Sequence, residues 1–438
     1  MLNRTPRFSC FRFGARFVCL AASILVLSAC SGPRVLMPTP NVYQGENAQT
    51  LFSDLPESLR SNEIDLFYIT DRLPEKDENG QLIYGYGRSY SLAFGSARFS
   101  LLPEMSWAAL EQSSLQESRD PEVTIHLAGI EEIGRFPSSP YSAVRKDGVL
   151  FLEPATEQKM NVAVGQFEDA LQERLAVSPK NEVVLFVHGF NNDFEYAAGT
   201  AAELWHFLGR EHVQVLYTWP AGRGGARGYT YDRESGEFTV FHLKKTIERI
   251  AATPGVEKLH LVGHSRGTDV LSTAVRELIF EYRDTGRLSV PFFNIENVVL
   301  AAPDLDLDVT LQRLAADHLN EDVGDVVFYT FGGDKAIGAS AKLFRSKKRM
   351  GQVSLDDVPE ERKRLLTQVQ GLSFVELEEA TDSTGHGYFH SSPEASSDLI
   401  MTIRYGMKPG KENGRPLTPI APLFWKMNTG YPNTPAEN

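Results

Sequence analysis

The run Gly263-His264-Ser265-Arg266-Gly267 sets a hydroxyl between two glycines, the pattern of a serine nucleophile on a tight strand-to-helix turn. Five residues can match by accident, so the flanks decide. The apolar run Leu259 to Val262 before it reads as a buried strand, and Thr268 to Leu278 after it has helical periodicity. Glycines on both sides let strand and helix pass closely while the hydroxyl protrudes. The helix N-terminus adds partial positive charge where an oxyanion would develop. Acyl transfer at Ser265 is the expected chemistry, against a plain structural turn.

Such a nucleophile needs a base, an acid and two oxyanion donors. When the order along the chain is serine, acid, histidine, the base lies after the last strand. His386, in Gly385-His386-Gly387, fits that place and precedes a helix opened by Ser391-Ser392-Pro393. His390 is its main competitor, and His318 falls in helical sequence. Two aspartates stand at strand ends: Asp304 in Ala302-Pro303-Asp304, and Asp334 in Gly332-Gly333-Asp334. The acid is usual after the second strand beyond the nucleophile, which selects Asp334 and leaves Asp304 as second choice. Asp304 with Asp306 and Asp308 otherwise reads as a helix-start cluster, and a calcium loop needs another spacing. The oxyanion donors are expected from the backbone of Arg266 and from His188-Gly189-Phe190, through the N–H of Phe190 or Asn191. His188 itself reads as a structural residue of that turn.

The elements that must hold these groups follow from the apolar runs. Ile64–Ile69, Tyr90–Phe99 and Val123–Leu127 read as an N-terminal β-rich extension. After a helix-like stretch from Val162 to Leu175, buried strands alternate with helices. They begin at Glu182–Val187, Val213–Tyr217, Lys258–Val262, Asn297–Leu300, Val326–Tyr329 and Ser373–Leu377. That alternation predicts a doubly wound, mostly parallel α/β sheet. Residues 221–241 and 338–364 interrupt it as candidate lids, the second reading equally well as an exposed helix without a role.

With 438 residues, 42% apolar and 23% charged, the chain has an ordinary globular composition. One catalytic domain over residues 61–405 is expected, with a flexible tether at 31–60 and a Pro-containing tail at 406–438. Arg4, Arg7, Arg12 and Arg16 precede the apolar run Phe17 to Ala29 and then Cys30. Residues 1–30 thus read as an export signal. Its end resembles a bacterial lipoprotein signal, which implies a lipidated Cys30 and, with Ser31 rather than Asp next, an outer-membrane anchor; an ordinary cleaved signal or a short anchor is the alternative. The three cysteines all lie in this leader, so no disulfide or zinc site is expected in the exported part. Without the four arginines the formal charge moves from −13 to −17, which disfavours nucleic acid as a partner.

A broader resemblance rests on Phe67-Tyr68-Ile69-Thr70-Asp71-Arg72, Tyr86-Gly87-Arg88-Ser89, Phe94-Gly95, Val187-His188-Gly189-Phe190-Asn191, Thr218-Trp219-Pro220, Tyr229-Thr230-Tyr231-Asp232, Gly263 to Gly267, Ala302-Pro303-Asp304 and Gly385-His386-Gly387. Across residues 64 to 405 the chain resembles bacterial α/β-hydrolases of domain of unknown function 900, often described as esterases or lipases. The resemblance implies a Ser/His/Asp carboxylesterase acting on a small ester, with Ser265, His386 and one of the two aspartates. Arg266 departs from the small or apolar residue usual there, so a cation is expected to border the site. No cofactor and no metal are expected. A thioesterase, peptidase or acyltransferase would use the same triad, and a silent scaffold kept for binding is the contrasting class.

Overall fold

The computed structural model describes residues 34–45, 48–53, 55–283, 293–315, 319–363, 367 and 369–433. The leader with Cys30, and His318, lie outside the described residues. Among the described residues twelve strands form the main sheet: β1 (Arg34–Val35), β2 (Glu63–Lys76), β3 (Leu82–Leu102), β4 (Thr124–Arg135), β5 (Glu182–Val187), β6 (Val213–Thr218), β7 (Lys258–His264), β8 (Ile295–Ala301), β9 (Asp325–Thr330), β10 (Leu372–Leu377), β11 (Thr418–Ala421) and β12 (Phe424–Met427). Their order is β1-β4-β3-β2-β6-β5-β7-β8-β9-β10-β12-β11. Every neighbouring pair from β2 through β12 is parallel, whereas β1, β3, β4 and β11 add antiparallel edges. The alternating runs thus form the doubly wound, mostly parallel sheet expected of them, with the α/β-hydrolase architecture.

Alternate residues of the parallel strands face opposite helical layers. Val184, Phe186, Leu216, Val262 and Val327 pack with α2 (Phe194–Phe207) and α6 (Pro393–Ile403). Val183, Leu185, Val215, Leu261 and Phe328 pack with α1 (Pro154–Val177), α3 (Gly225–Ala252) and α4 (Gly267–Arg283). Burial on both faces explains why these strands read as unbroken apolar runs. From β5 the chain moves to β6 on one side, and from β7 to β8 on the other. The order reverses between β5 and β7, and clefts form beyond the carboxyl ends of strands at such a switch.

Two expected boundaries are corrected. Residues 31–60 are not a loose tether from residue 34 onward, because Arg34–Val35 pair with β4 and Leu36, Met37, Val42, Tyr43, Leu51, Phe52 and Leu55 are buried. Their irregular spacing hides them among Pro, Asn and Gln. Likewise 406–438 is no mere tail, since β12 extends the sheet beside β10. There the buried Asp398 carboxylate takes Arg415 at Nε (3.0 Å) and the hydroxyls of Tyr329 (2.8 Å) and Tyr431 (2.5 Å), which ties the C-terminal segment to α6 and β9. Of the two candidate lids, 221–241 is mostly the first half of α3. Residues 338–364 include the end of α5 (Lys335–Phe344) and short helical turns.

Candidate active site

Ser265 follows β7 directly and has φ of 53°, the left-handed conformation that a serine adopts only when its surroundings impose it. Its N–H donates to the carbonyl of Ala301 at the end of β8 (2.9 Å), and its carbonyl accepts from Thr268 (3.1 Å) in the first turn of α4. A Cβ on Gly267 would lie 2.3 Å from the His188 carbonyl oxygen, and one on Gly189 would lie 2.7 Å from Ser265 Cβ. Close approach of the two strand ends at the switch point therefore requires glycine at both positions. Gly189→Ala is expected to cost about 1–3 kcal/mol through overpacking and to lower kcat on the order of 100- to 1,000-fold, as for a lost oxyanion donor. Thermal melting and steady-state rates check this, and a wild-type kcat would refute it.

His386 and Asp334 meet across 52 residues of sequence: Nδ1 of the imidazole lies 2.7 Å from Oδ2 of the carboxylate. Asp334 is 1% exposed. Its other oxygen caps α5 by accepting from the N–H of Ile337 (2.9 Å), so the acid is fixed by a helix start as well as by β9. A carboxylate only accepts, so Nδ1 carries the proton and Nε2 is left with a lone pair. Burial works against the His386 cation, but the hydrogen bond and charge of Asp334 outweigh it, helped by Asp304 and Asp382, and the pKa rises above the usual value. A general base works only when neutral. The acid limb of kcat/KM is therefore expected above about pH 6.5, the ordinary histidine value, and in Asp334→Asn it should fall to lower pH. A pH–rate profile checks both, and an unmoved limb in the variant would contradict the pairing.

Of the two N–H groups expected on the Gly189 turn, Phe190 and Asn191, one is already bonded within the protein. The Asn191 N–H is already engaged by Asp232 Oδ2 (3.0 Å), which also takes the N–H of Gly222 (3.2 Å). Among the described residues the N–H groups of Phe190 and Arg266 donate to no protein acceptor. His188 is fully buried, accepts the Trp219 N–H at Nε2 (3.1 Å) and stacks on that indole. Its Nδ1–H is thereby left to donate to the Gly189 carbonyl (2.9 Å). Because C=O and N–H oppose each other in a trans peptide, this bond turns the Phe190 N–H the other way.

Other expected residues have different places. Asp304 makes no bond to His386. It accepts from Tyr229 Oη (2.6 Å) and Ser340 Oγ (2.6 Å) and faces Arg349 Nη1 at 3.6 Å. It therefore joins the two candidate lid segments to each other. Tyr229 in turn packs on Phe190, ring centres 4.8 Å apart. His390 lies in a short helix after the loop, where burial and the Arg34 cation push its pKa down to about 3. The Arg266 guanidinium is 2.8 Å from Asp269 one turn along α4, so its charge is paired. Among the described residues, no group of three or more His, Cys, Asp and Glu is arranged to hold a metal ion.

Two supports of His386 were not among the expected residues. Asp382 accepts from Thr384 Oγ1 (2.6 Å) and the His386 N–H (3.0 Å) and so shapes the loop that carries the imidazole. An Asp three residues before a Gly is a turn signal that would have found it. His264 lies beside His386, ring centres 4.8 Å apart, with Nε2 3.1 Å from the His386 carbonyl oxygen. Burial keeps His264 neutral, so it donates there without adding a second cation.

Comparison with known families matches residues 164–403 to the model described as alpha/beta hydrolase of unknown function (DUF900). The chain belongs to this family. The matched part of this DUF900 α/β hydrolase contains Ser265, Asp334 and His386, and the sheet continues beyond it at both ends. Solved structures similar to it include a predicted CIB-like hydrolase from Thermoplasma acidophilum, at 13% identity over 51% of this chain and 86% of that one, TM-score 0.29. Est1E from Butyrivibrio proteoclasticus, solved with ferulic acid, matches at 12% identity over 52% and 92%, TM-score 0.28. An esterase from Pyrobaculum calidifontis matches at 13% over 58% and 99%, TM-score 0.29. No curated protein matches the DUF900 hydrolase.

Proposed function

We propose that this hydrolase is a serine carboxylesterase using Ser265, His386 and Asp334 through an acyl-enzyme. The observation that carries this reading is the 2.7 Å hydrogen bond that Nδ1 of His386 donates to a buried carboxylate, in a sheet whose switch point carries a serine in the left-handed conformation. The hydrogen bonds of Ser265 among the described residues run through its backbone, not Oγ; bonds at a catalytic hydroxyl are often long in unliganded sites and tighten with substrate. His386 Nε2 takes the Ser265 proton as Oγ attacks the ester carbonyl, and the carbonyl electron pair moves onto oxygen. The N–H groups of Phe190 and Arg266 receive that oxyanion. Collapse expels the alcohol, which takes the proton from His386, and water then attacks the acyl-Ser265 in a mirror of the first half.

A small ester as substrate and a bacterial envelope location through a lipidated Cys30 belong to the same proposal, the second supported by the leader sequence alone. A rate series on p-nitrophenyl esters of increasing acyl length tests the activity. Saturable hydrolysis that vanishes in Ser265→Ala is expected, and preference for short chains would separate an esterase from a lipase. Rates equal to those of Ser265→Ala at every chain length would favour the silent scaffold.

A further inference from the structure

Away from Ser265 the fold brings a second serine, histidine and aspartate into line. Asp71 of β2 is fully buried, and its Oδ2 lies 2.9 Å from Nδ1 of His242 in α3. Nε2 of that imidazole is 3.0 Å from Oγ of Ser139, a half-buried residue just after β4. Thr239 Oγ1 donates to the same Asp71 oxygen (2.7 Å), while Oδ1 of Asp71 is buried with no partner among the described residues. The carboxylate only accepts, so the His242 Nδ1 carries the proton and Nε2 presents its lone pair to the Ser139 hydroxyl. The same hydroxyl is 3.2 Å from the Tyr90 carbonyl; with one proton to donate, the shorter contact favours Nε2. His242 also lines a cavity of about 320 Å³ whose walls include Leu92, Phe136, Leu152 and Met160, with Lys245, Glu248 and Arg249 at its polar side. It shares no residue with the Ser265 centre.

We propose that Ser139 is a second reactive serine, activated by His242 and Asp71, that accepts acyl or phosphonyl groups from small apolar esters held in this cavity. Ser139 Oγ attacks the carbonyl carbon, its proton passes to His242 Nε2, and the leaving alkoxide takes that proton as the acyl–Ser139 bond remains; with a fluorophosphonate Oγ attacks phosphorus, the P–F bond breaks, and fluoride leaves with the proton. Ser139 has neither the left-handed backbone of Ser265 nor a following helix N-terminus. Without an organised oxyanion site, reaction should be on the order of 1,000-fold slower than at Ser265.

The test is prolonged exposure of full-length Ser265→Ala to an alkyl fluorophosphonate, with the modified peptide identified by mass spectrometry. An adduct on Ser139, slowed at least tenfold by adding His242→Gln, is expected. No adduct on Ser139, or one formed equally fast without His242, would overturn the proposal. The His242→Gln change in the otherwise natural chain shows whether the fold survives, through the rate at Ser265. If it does not, competition decides: occupancy of the cavity by a slowly reacting p-nitrophenyl ester should protect Ser139 from the phosphonate, and absence of protection overturns the proposal. Because the two serines lie in different peptides, failure here is distinct from failure at Ser265.

Discussion

Ser265→Ala is expected to lower kcat for ester hydrolysis on the order of a millionfold, the scale seen when a triad serine is removed. The fold should hardly notice. Among the described residues the bonds of Ser265 to Ala301 and Thr268 run through its backbone and do not involve the hydroxyl. His386→Ala should cost a similar factor, and the double variant little more, because the two groups act in one proton transfer. Steady-state rates with thermal melting check this. A Ser265→Ala protein within a hundredfold of wild type would place the chemistry elsewhere.

Asp334→Asn should cost on the order of ten-thousandfold in kcat, whereas Asp304→Asn should act chiefly on stability. Asparagine at 334 keeps an oxygen that can still cap the Ile337 N–H, but it no longer accepts from His386 as an anion. The imidazole then loses both its fixed tautomer and the charge that stabilises its cation. Asp304 instead faces Arg349, with both side chains nearly sealed from solvent. Removing one partner of such a pair costs about 3–5 kcal/mol, visible as a lower Tm, with kcat per folded molecule changed less than tenfold. Equal, mild losses of rate in the two variants would refute the assignment of the acid.

The sheet was legible because strands buried on both faces leave unbroken apolar runs, and Glu182–Val187 falls where the sequence placed it. Ser265 and His386 were legible from their glycine-rich turns and their places in chain order, and counting strands selected Asp334 over Asp304. What the sequence hid is tertiary. The Asp232 bond that occupies Asn191 joins residues 41 apart, and the Asp304 bonds to Tyr229 and Ser340 span 75 and 36. No local period announces such pairs. The C-terminal strands were missed because each is four residues long, too short to show a period, and the segment around them is tied down by Arg415 and Tyr431 on Asp398.

The central claim is that Ser265 is the nucleophile, and brief fluorophosphonate labelling of the natural chain tests it most directly. Mass mapping should place the rapid adduct on the peptide containing Ser265, and Ser265→Ala should show none within the time that saturates the natural protein. Rapid labelling on any other residue, or undiminished in Ser265→Ala, would contradict it.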